Sequence, residues 1–130
     1  MLFHHLGVAT DSIEQTILFI EKNFNIIKKT DIIFDTLQDA NLCMLTTKEG
    51  TNIELVSGKT VQRFIKKQQF LYHTCWEVED IEKSINSLYD SGALLISPAK
   101  EAILFNNRKV AFMHSALGII ELLEKEKDSM

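Results

Sequence analysis

The chain has 130 residues, 45% of them hydrophobic and 25% charged, which is enough apolar material to bury a core and too much for a disordered segment. Its formal net charge is −4 with a pI near 5.5, so no global basic field exists to hold a nucleic-acid backbone. Apolar runs such as Ala102-Ile103-Leu104-Phe105 fall far short of the roughly 20 residues that span a bilayer, and no basic segment leads into a long apolar one at the start; the expectation is a cytoplasmic protein without membrane partners.

In chain order, Phe3 to Ala9 reads as a strand that ends at a helix-start signal, Thr10-Asp11. Asp11 and Glu14 have capping-box spacing, and Ile13, Ile17, Ile20 and Phe24 recur at helical intervals, predicting a helix over about 12–23. Ile26 to Phe34, Asn41 to Thr46 and Ile53 to Val56 read as strands, with turns at Asp35-Thr36, Gln38-Asp39 and Lys48 to Asn52. Lys59 to Gln69, carrying Lys59, Arg63, Lys66 and Lys67, reads as a partly helical link. Phe70 to Val78 is the next strand, and Asp80 caps a helix through Ile81, Ile85 and Leu88 that stops at Ser91-Gly92. Strands follow at Ala93 to Ser97, ended by Pro98, at Ala102 to Phe105, at Lys109 to His114 and at Ile119 to Glu124. The charged tail from Lys125 to Met130 is expected to fray.

The order strand, helix, run of strands is thus written twice, and so is a pattern of residues. His73 follows His5 by 68 positions, each trailed at the same steps by Ile, Glu and Ile (Ile13, Glu14, Ile17; Ile81, Glu82, Ile85). Ile53-Glu54-Leu55-Val56 is answered 67 positions later by Ile120-Glu121-Leu122-Leu123. The expected architecture is α+β: one domain, 1–130, of two βαβββ modules (1–58 and 70–125, linker 59–69) forming a half-open curved barrel. On its floor His5 and His73 would face Glu54 and Glu121. Two imidazoles and two carboxylates suit a borderline divalent ion such as Zn, Ni, Co, Mn or Fe. Any one of the four alone reads more simply as a satisfied core histidine or a solvated glutamate, but their recurrence in register favours the metal site. His4 must point to the strand face opposite His5. His114 has no counterpart in the first half and reads as a polar strand end. Cys43 and Cys75 lack disulfide or zinc-ribbon spacing and read as reduced core thiols, ahead of a catalytic role for Cys75 beside His73. Trp76, Phe112 and Tyr72 read as core or cleft wall.

His5-Leu6-Gly7-Val8-Ala9, Ile53-Glu54-Leu55, Tyr72 to Ile81 and Ile120 to Leu123 together resemble the vicinal oxygen chelate (glyoxalase/bleomycin resistance/dioxygenase) superfamily across essentially the whole chain. Asn107 to His114, ahead of Gly118-Ile119-Ile120-Glu121, looks most like the methylmalonyl-CoA epimerase branch. The resemblance implies paired βαβββ modules and a divalent metal (Co, Mn, Ni or Zn) on His5, Glu54, His73 and Glu121. It also implies an isomerase or lyase in which the ion stabilises an enediolate and a carboxylate, Glu121, moves a proton beside a carbonyl. Epimerases of this branch use a second glutamate just before the third strand, and that place falls near Gln38. Either Asp39 fills the role after a slight shift, or the chemistry uses only metal-bound glutamates, as in glyoxalase I. Glu54 in the second ligand position leans toward the glyoxalase pattern. The leading expectation is therefore a metal-dependent, methylmalonyl-CoA epimerase-like enzyme. A lactoylglutathione lyase-like enzyme and a metal-free binding or resistance protein are the alternatives. The implied partners are a small carbonyl substrate, an acyl-CoA among the options, and a second copy in a homodimer. Lys59, Arg63, Lys66, Lys67, Arg108 and Lys109 are the cations available to CoA phosphates, although such clusters are more often solvated surface.

Overall fold

The computed structural model describes residues 1–126. Its strands and helices run β1 (Leu2–Ala9), α1 (Ile13–Asn23), β2 (Ile26–Lys29), β3 (Ile33–Asp35), β4 (Ala40–Thr47), β5 (Asn52–Ser57), α2 (Gln62–Lys66), β6 (Leu71–Val78), α3 (Ile81–Asp90), β7 (Leu94–Ala102), β8 (Arg108–Ser115) and β9 (Gly118–Glu124). Two compact units emerge, one of His5–Tyr72 and one of Met1–His4 with the chain from His73 on.

In the first unit β1 pairs parallel with β5, β5 antiparallel with β4, and β4 carries both β2 and β3. A parallel pair needs a crossover, which α1 opens while covering one sheet face: Ile13, Ile17 and Ile20 pack on Cys43, Leu45 and Leu55. Val8 and Ile53 join that face, so strand alternation sends His5 and Glu54 to the other side of their strands. The second unit repeats the plan. β6 pairs parallel with β9, β9 antiparallel with β8, and β8 with β7, which is the edge. Ile81 and Ile85 of α3 pack on Val78, Ala111, Met113, Ile120 and Leu122, leaving His73 and Glu121 on the opposite face.

Four details depart from the sequence reading. The cap of α1 is Ser12, whose Oγ accepts from Gln15 N at 3.2 Å, and not Asp11. The expected strand 26–34 breaks at Thr30, whose Oγ1 accepts from Met44 N (2.9 Å) while its own N–H donates to Met44 O (2.9 Å); a side chain in the ladder leaves β2 and β3 as separate short strands on β4. β7 runs through Pro98 to Ala102, because an edge strand can lose one donor, and its register shifts between Leu95 and Ser97 and between Ser97 and Lys100. Beyond Ala102, Ile103–Phe105 is a single 3₁₀ turn closed by Asn106 at φ 56°, not a strand. The linker is helical in part, as expected, with a 3₁₀ turn over Lys59–Val61 leading into α2. Of the tail expected to fray, Lys125 is held by its N–H on Val78 O (2.7 Å), and residues 127–130 lie outside the described part.

Candidate metal centre

The first His/Glu pair stands on neighbouring parallel strands. Glu54 is in register with Gly7, two residues beyond His5, so both side chains leave the same sheet face and His5 Nε2 comes 3.4 Å from Glu54 Oε1. The second pair is built by the same rule: Glu121 is in register with Cys75, two residues beyond His73, and His73 Nε2 lies 3.1 Å from Glu121 Oε1. The His73 ring is met edge-on by Phe112, with centroids 5.6 Å apart and planes at 89°. All four residues are buried, His5 to 0%, Glu54 to 3%, His73 to 3% and Glu121 to 1% of their reference exposure.

That burial decides what the groups can be for. Removing a carboxylate from water costs several kcal/mol unless opposite charge and hydrogen bonds compensate, so each of these glutamates demands positive charge beside it, from a bound cation or from the neighbouring imidazole. Ligand atoms about 2.0–2.1 Å from one ion sit about 2.9–3.4 Å apart along an edge of its coordination shell, which brackets the separations within the two pairs. Imidazole nitrogen and carboxylate oxygen are donors that first-row divalent ions accept. Each unit thus holds one buried pair, His5 with Glu54 and His73 with Glu121, whose donors suit a divalent metal.

The remaining sequence candidates are placed as follows. Asp39 is exposed in the turn before β4, at φ 53°, and belongs to neither His/Glu pair. Gln38 donates from Nε2 to Asp35 Oδ2 at 2.9 Å. Asp35 is the residue that sequence reasoning missed here: it is 2% exposed, and its Oδ1 accepts from Leu37 N and Gln38 N, closing β3. An Asp two and three residues before those amides is an Asx-turn signal that the sequence did carry. Cys43 and Cys75 are buried and form no disulfide. Burial pushes the Cys43 thiol pKa up, against a smaller lowering effect of its hydrogen bond to Thr30 O. His4 stacks edge-on against Phe105 (5.5 Å), and His114 is exposed toward the end of β8. Arg108 is engaged within its own unit, by Nε to Glu124 O (2.8 Å) and by its terminal nitrogen to Glu77 Oε2 (2.5 Å). Arg63 lies over the Phe64 ring at 4.7 Å.

The family model described as "Glyoxalase/Bleomycin resistance protein/Dioxygenase superfamily" matches residues 4–112, most of the chain and three of the four paired His and Glu residues. The chain belongs to this superfamily. Solved structures similar to it share its α+β glyoxalase-like fold of βαβββ-type modules. A hypothetical protein from Bacillus halodurans is 24% identical, with TM-score 0.77 over 98% of this chain and 96% of its own. Methylmalonyl-CoA epimerase from Mycobacterium tuberculosis is 18% identical, with TM-score 0.82 over 96% and 88%. A glyoxalase I mutant from Zea mays is 17% identical, with TM-score 0.68 over 99% of this chain and 45% of its own. No curated protein sequence matches the chain significantly. Proteins of the superfamily bind small molecules, and among the described residues no helix is long and apolar enough to cross a membrane.

Proposed function

We propose that this superfamily member is a metal-dependent isomerase or lyase that moves a proton on the carbon beside a substrate carbonyl, with methylmalonyl-CoA epimerase-like chemistry the leading form. One divalent ion, Co, Mn, Ni or Zn, is held by His5, Glu54, His73 and Glu121 together. The observation that carries this reading is the second writing of the pair: in both modules a buried His stands two residues ahead of the strand partner of a buried Glu. Within each pair the ligand atoms stand 3.4 Å and 3.1 Å apart, separations that neighbouring ligands of a single ion adopt. When bound, the ion supplies Lewis-acid stabilisation of negative charge on the substrate's carbonyl oxygen.

The protein's own groups do the rest. His5 and His73 must present unprotonated nitrogens to bind, so occupancy falls in acid. Phe112 against His73 restricts the ring's rotation. Glu121 is the base that takes the proton from the substrate carbon and gives it back. A single carboxylate returns the proton to the face it came from; inversion needs a second group on the other face, and Asp39 is assigned to it for its place just ahead of β4. The chemical identity of the two pairs, His with Glu in each, favours a lactoylglutathione lyase-like reaction as the second reading.

The test is deuterium incorporation at the substrate carbon in heavy water, using methylmalonyl-CoA and the glutathione hemithioacetal of methylglyoxal, with each metal added in turn. Metal-dependent exchange that is lost in Glu121→Gln is the expected result. Stoichiometric binding of either compound with no exchange under any metal would replace the enzyme by a binding or resistance protein. Exchange without inversion, unchanged in Asp39→Asn, would remove Asp39 from the mechanism.

A further inference from the structure

The second module contains a cavity of about 410 Å³ on the helix-covered side of its sheet. Trp76 of β6 and Ile120 of β9 line its sheet wall, Leu88 and Ala93 at the end of α3 line another, and Leu117 in the β8–β9 turn stands at the rim, 75% exposed. Strand alternation separates it from the proposed metal centre. Trp76 packs with Val78, Ile120 and Leu122 toward α3, whereas His73 and Glu121 leave the other face of the same two strands. Its volume falls within the roughly 300–1,000 Å³ of small-molecule sites.

The chemistry of the walls restricts what can enter. Among the described residues no Asp, Glu, Lys, Arg or His side chain lines the cavity, Met1 also borders it, and the polar groups named below find partners within the protein. The Trp76 indole Nε1 donates to Thr74 Oγ1 at 2.9 Å. Ser91 Oγ donates to Ser87 O at 3.1 Å, and the Gly92 and Ala93 amides donate to Tyr89 O and Leu88 O. Ser115 Oγ donates to Gly118 O and accepts from Leu117 N, both at 3.0 Å. An anionic ligand would lose its hydration and find these N–H and O–H donors already engaged, whereas an apolar one gains burial against the indole face and the Leu, Ile and Ala side chains.

We propose that this cavity is a second ligand site, specific for a small uncharged hydrocarbon or aromatic group and separate from the proposed metal centre. It stands on geometry and wall chemistry alone, so the failure of the proposed enzymatic function would leave it untouched.

Trp76 is the chain's single tryptophan, so its fluorescence reports this wall without a label. The experiment titrates full-length protein with bromobenzene and, in parallel, with 4-bromobenzoate, two heavy-atom quenchers of similar size that differ in charge. Bromobenzene is expected to quench saturably and to raise the melting temperature, while 4-bromobenzoate quenches only linearly and weakly. Ala116→Phe, at an exposed lining position, should abolish the saturable phase at unchanged circular dichroism; Leu117→Lys at the rim should weaken bromobenzene binding at least several-fold and serves if the first variant misfolds. Linear quenching of equal slope by both compounds would overturn the proposal. So would a Trp76 signal that shifts with protein concentration alone in step with dimer formation by sedimentation, which would make the cavity a contact between two copies.

Discussion

Removing His73 tests the metal centre most directly, through stability rather than turnover. An ion that binds only the folded state stabilises it by RT ln(1 + [M]/Kd), about 2.7 kcal/mol at 100 times Kd. A chain of 130 residues unfolds with an entropy near 0.27 kcal/mol/K, from about 2.1 cal/mol/K per residue, so saturating metal should raise Tm by about 10 °C over the chelated protein. His73→Ala deletes the nitrogen 3.1 Å from Glu121 Oε1. Losing even an outer-shell partner of a metal ligand costs up to about 100-fold in affinity, and losing a ligand should cost at least that. At the same metal concentration the stabilisation then falls to about 0.4 kcal/mol, a rise of only 1–2 °C. The metal-free variant should itself melt lower, because a carboxylate 1% exposed has lost its neighbouring imidazole, at a cost of about 3–5 kcal/mol. The quantity to compare is therefore the metal-induced increment for each protein, by scanning calorimetry with and without chelator and with bound metal measured alongside. Equal increments in the two proteins, or no metal retained by either, would refute the reasoning.

Three further outcomes follow from particular contacts. Ser12→Ala should cost about 1 kcal/mol by denaturant titration and Asp11→Ala close to nothing, since Ser12 Oγ is the acceptor for Gln15 N. Gly58→Ala should destabilise by about 1–3 kcal/mol, because φ is +129° there and an added Cβ would meet Asp39 O at 3.2 Å; an unchanged midpoint would contradict that geometry. The raised Cys43 pKa means that the unfolded thiol ionises first as pH rises. The folded state binds more protons in that range, so stability is lost as pH climbs past the ordinary thiol value of 9.0, an effect that Cys43→Ser should reduce. In the native protein Cys43 should resist alkylation at pH 8.

Sequence alone was enough for everything that depends on period and repetition. The helical spacing of Ile13, Ile17 and Ile20, the answering Ile81 and Ile85, and the strand-like Ile-Glu-Leu segments specify two helices with apolar faces and the strands they cover. A doubled His and Glu at matching steps names the residues that form a buried His/Glu pair in each unit. These are local patterns, set by which side chains share one face of a helix or strand. What sequence left open were competitions between neighbours that only three-dimensional packing settles. Asp11 and Ser12 both suit a cap, and it is Ser12 that takes the extended backbone and accepts from Gln15 N. Pro98 ends a central strand but is tolerated on an edge, and β7 became the edge through its pairing with β8, distant in the chain. Thr30 broke a β-branched run by bonding to Met44, 14 residues away. Arg108 read as a free cation until Glu77, 31 residues earlier, was brought against it. Residues such as Asp35 and Asp39 differ little on paper, yet one is 2% exposed and closes a turn while the other faces solvent at φ 53°, because the turn between β3 and β4 buries only one of them.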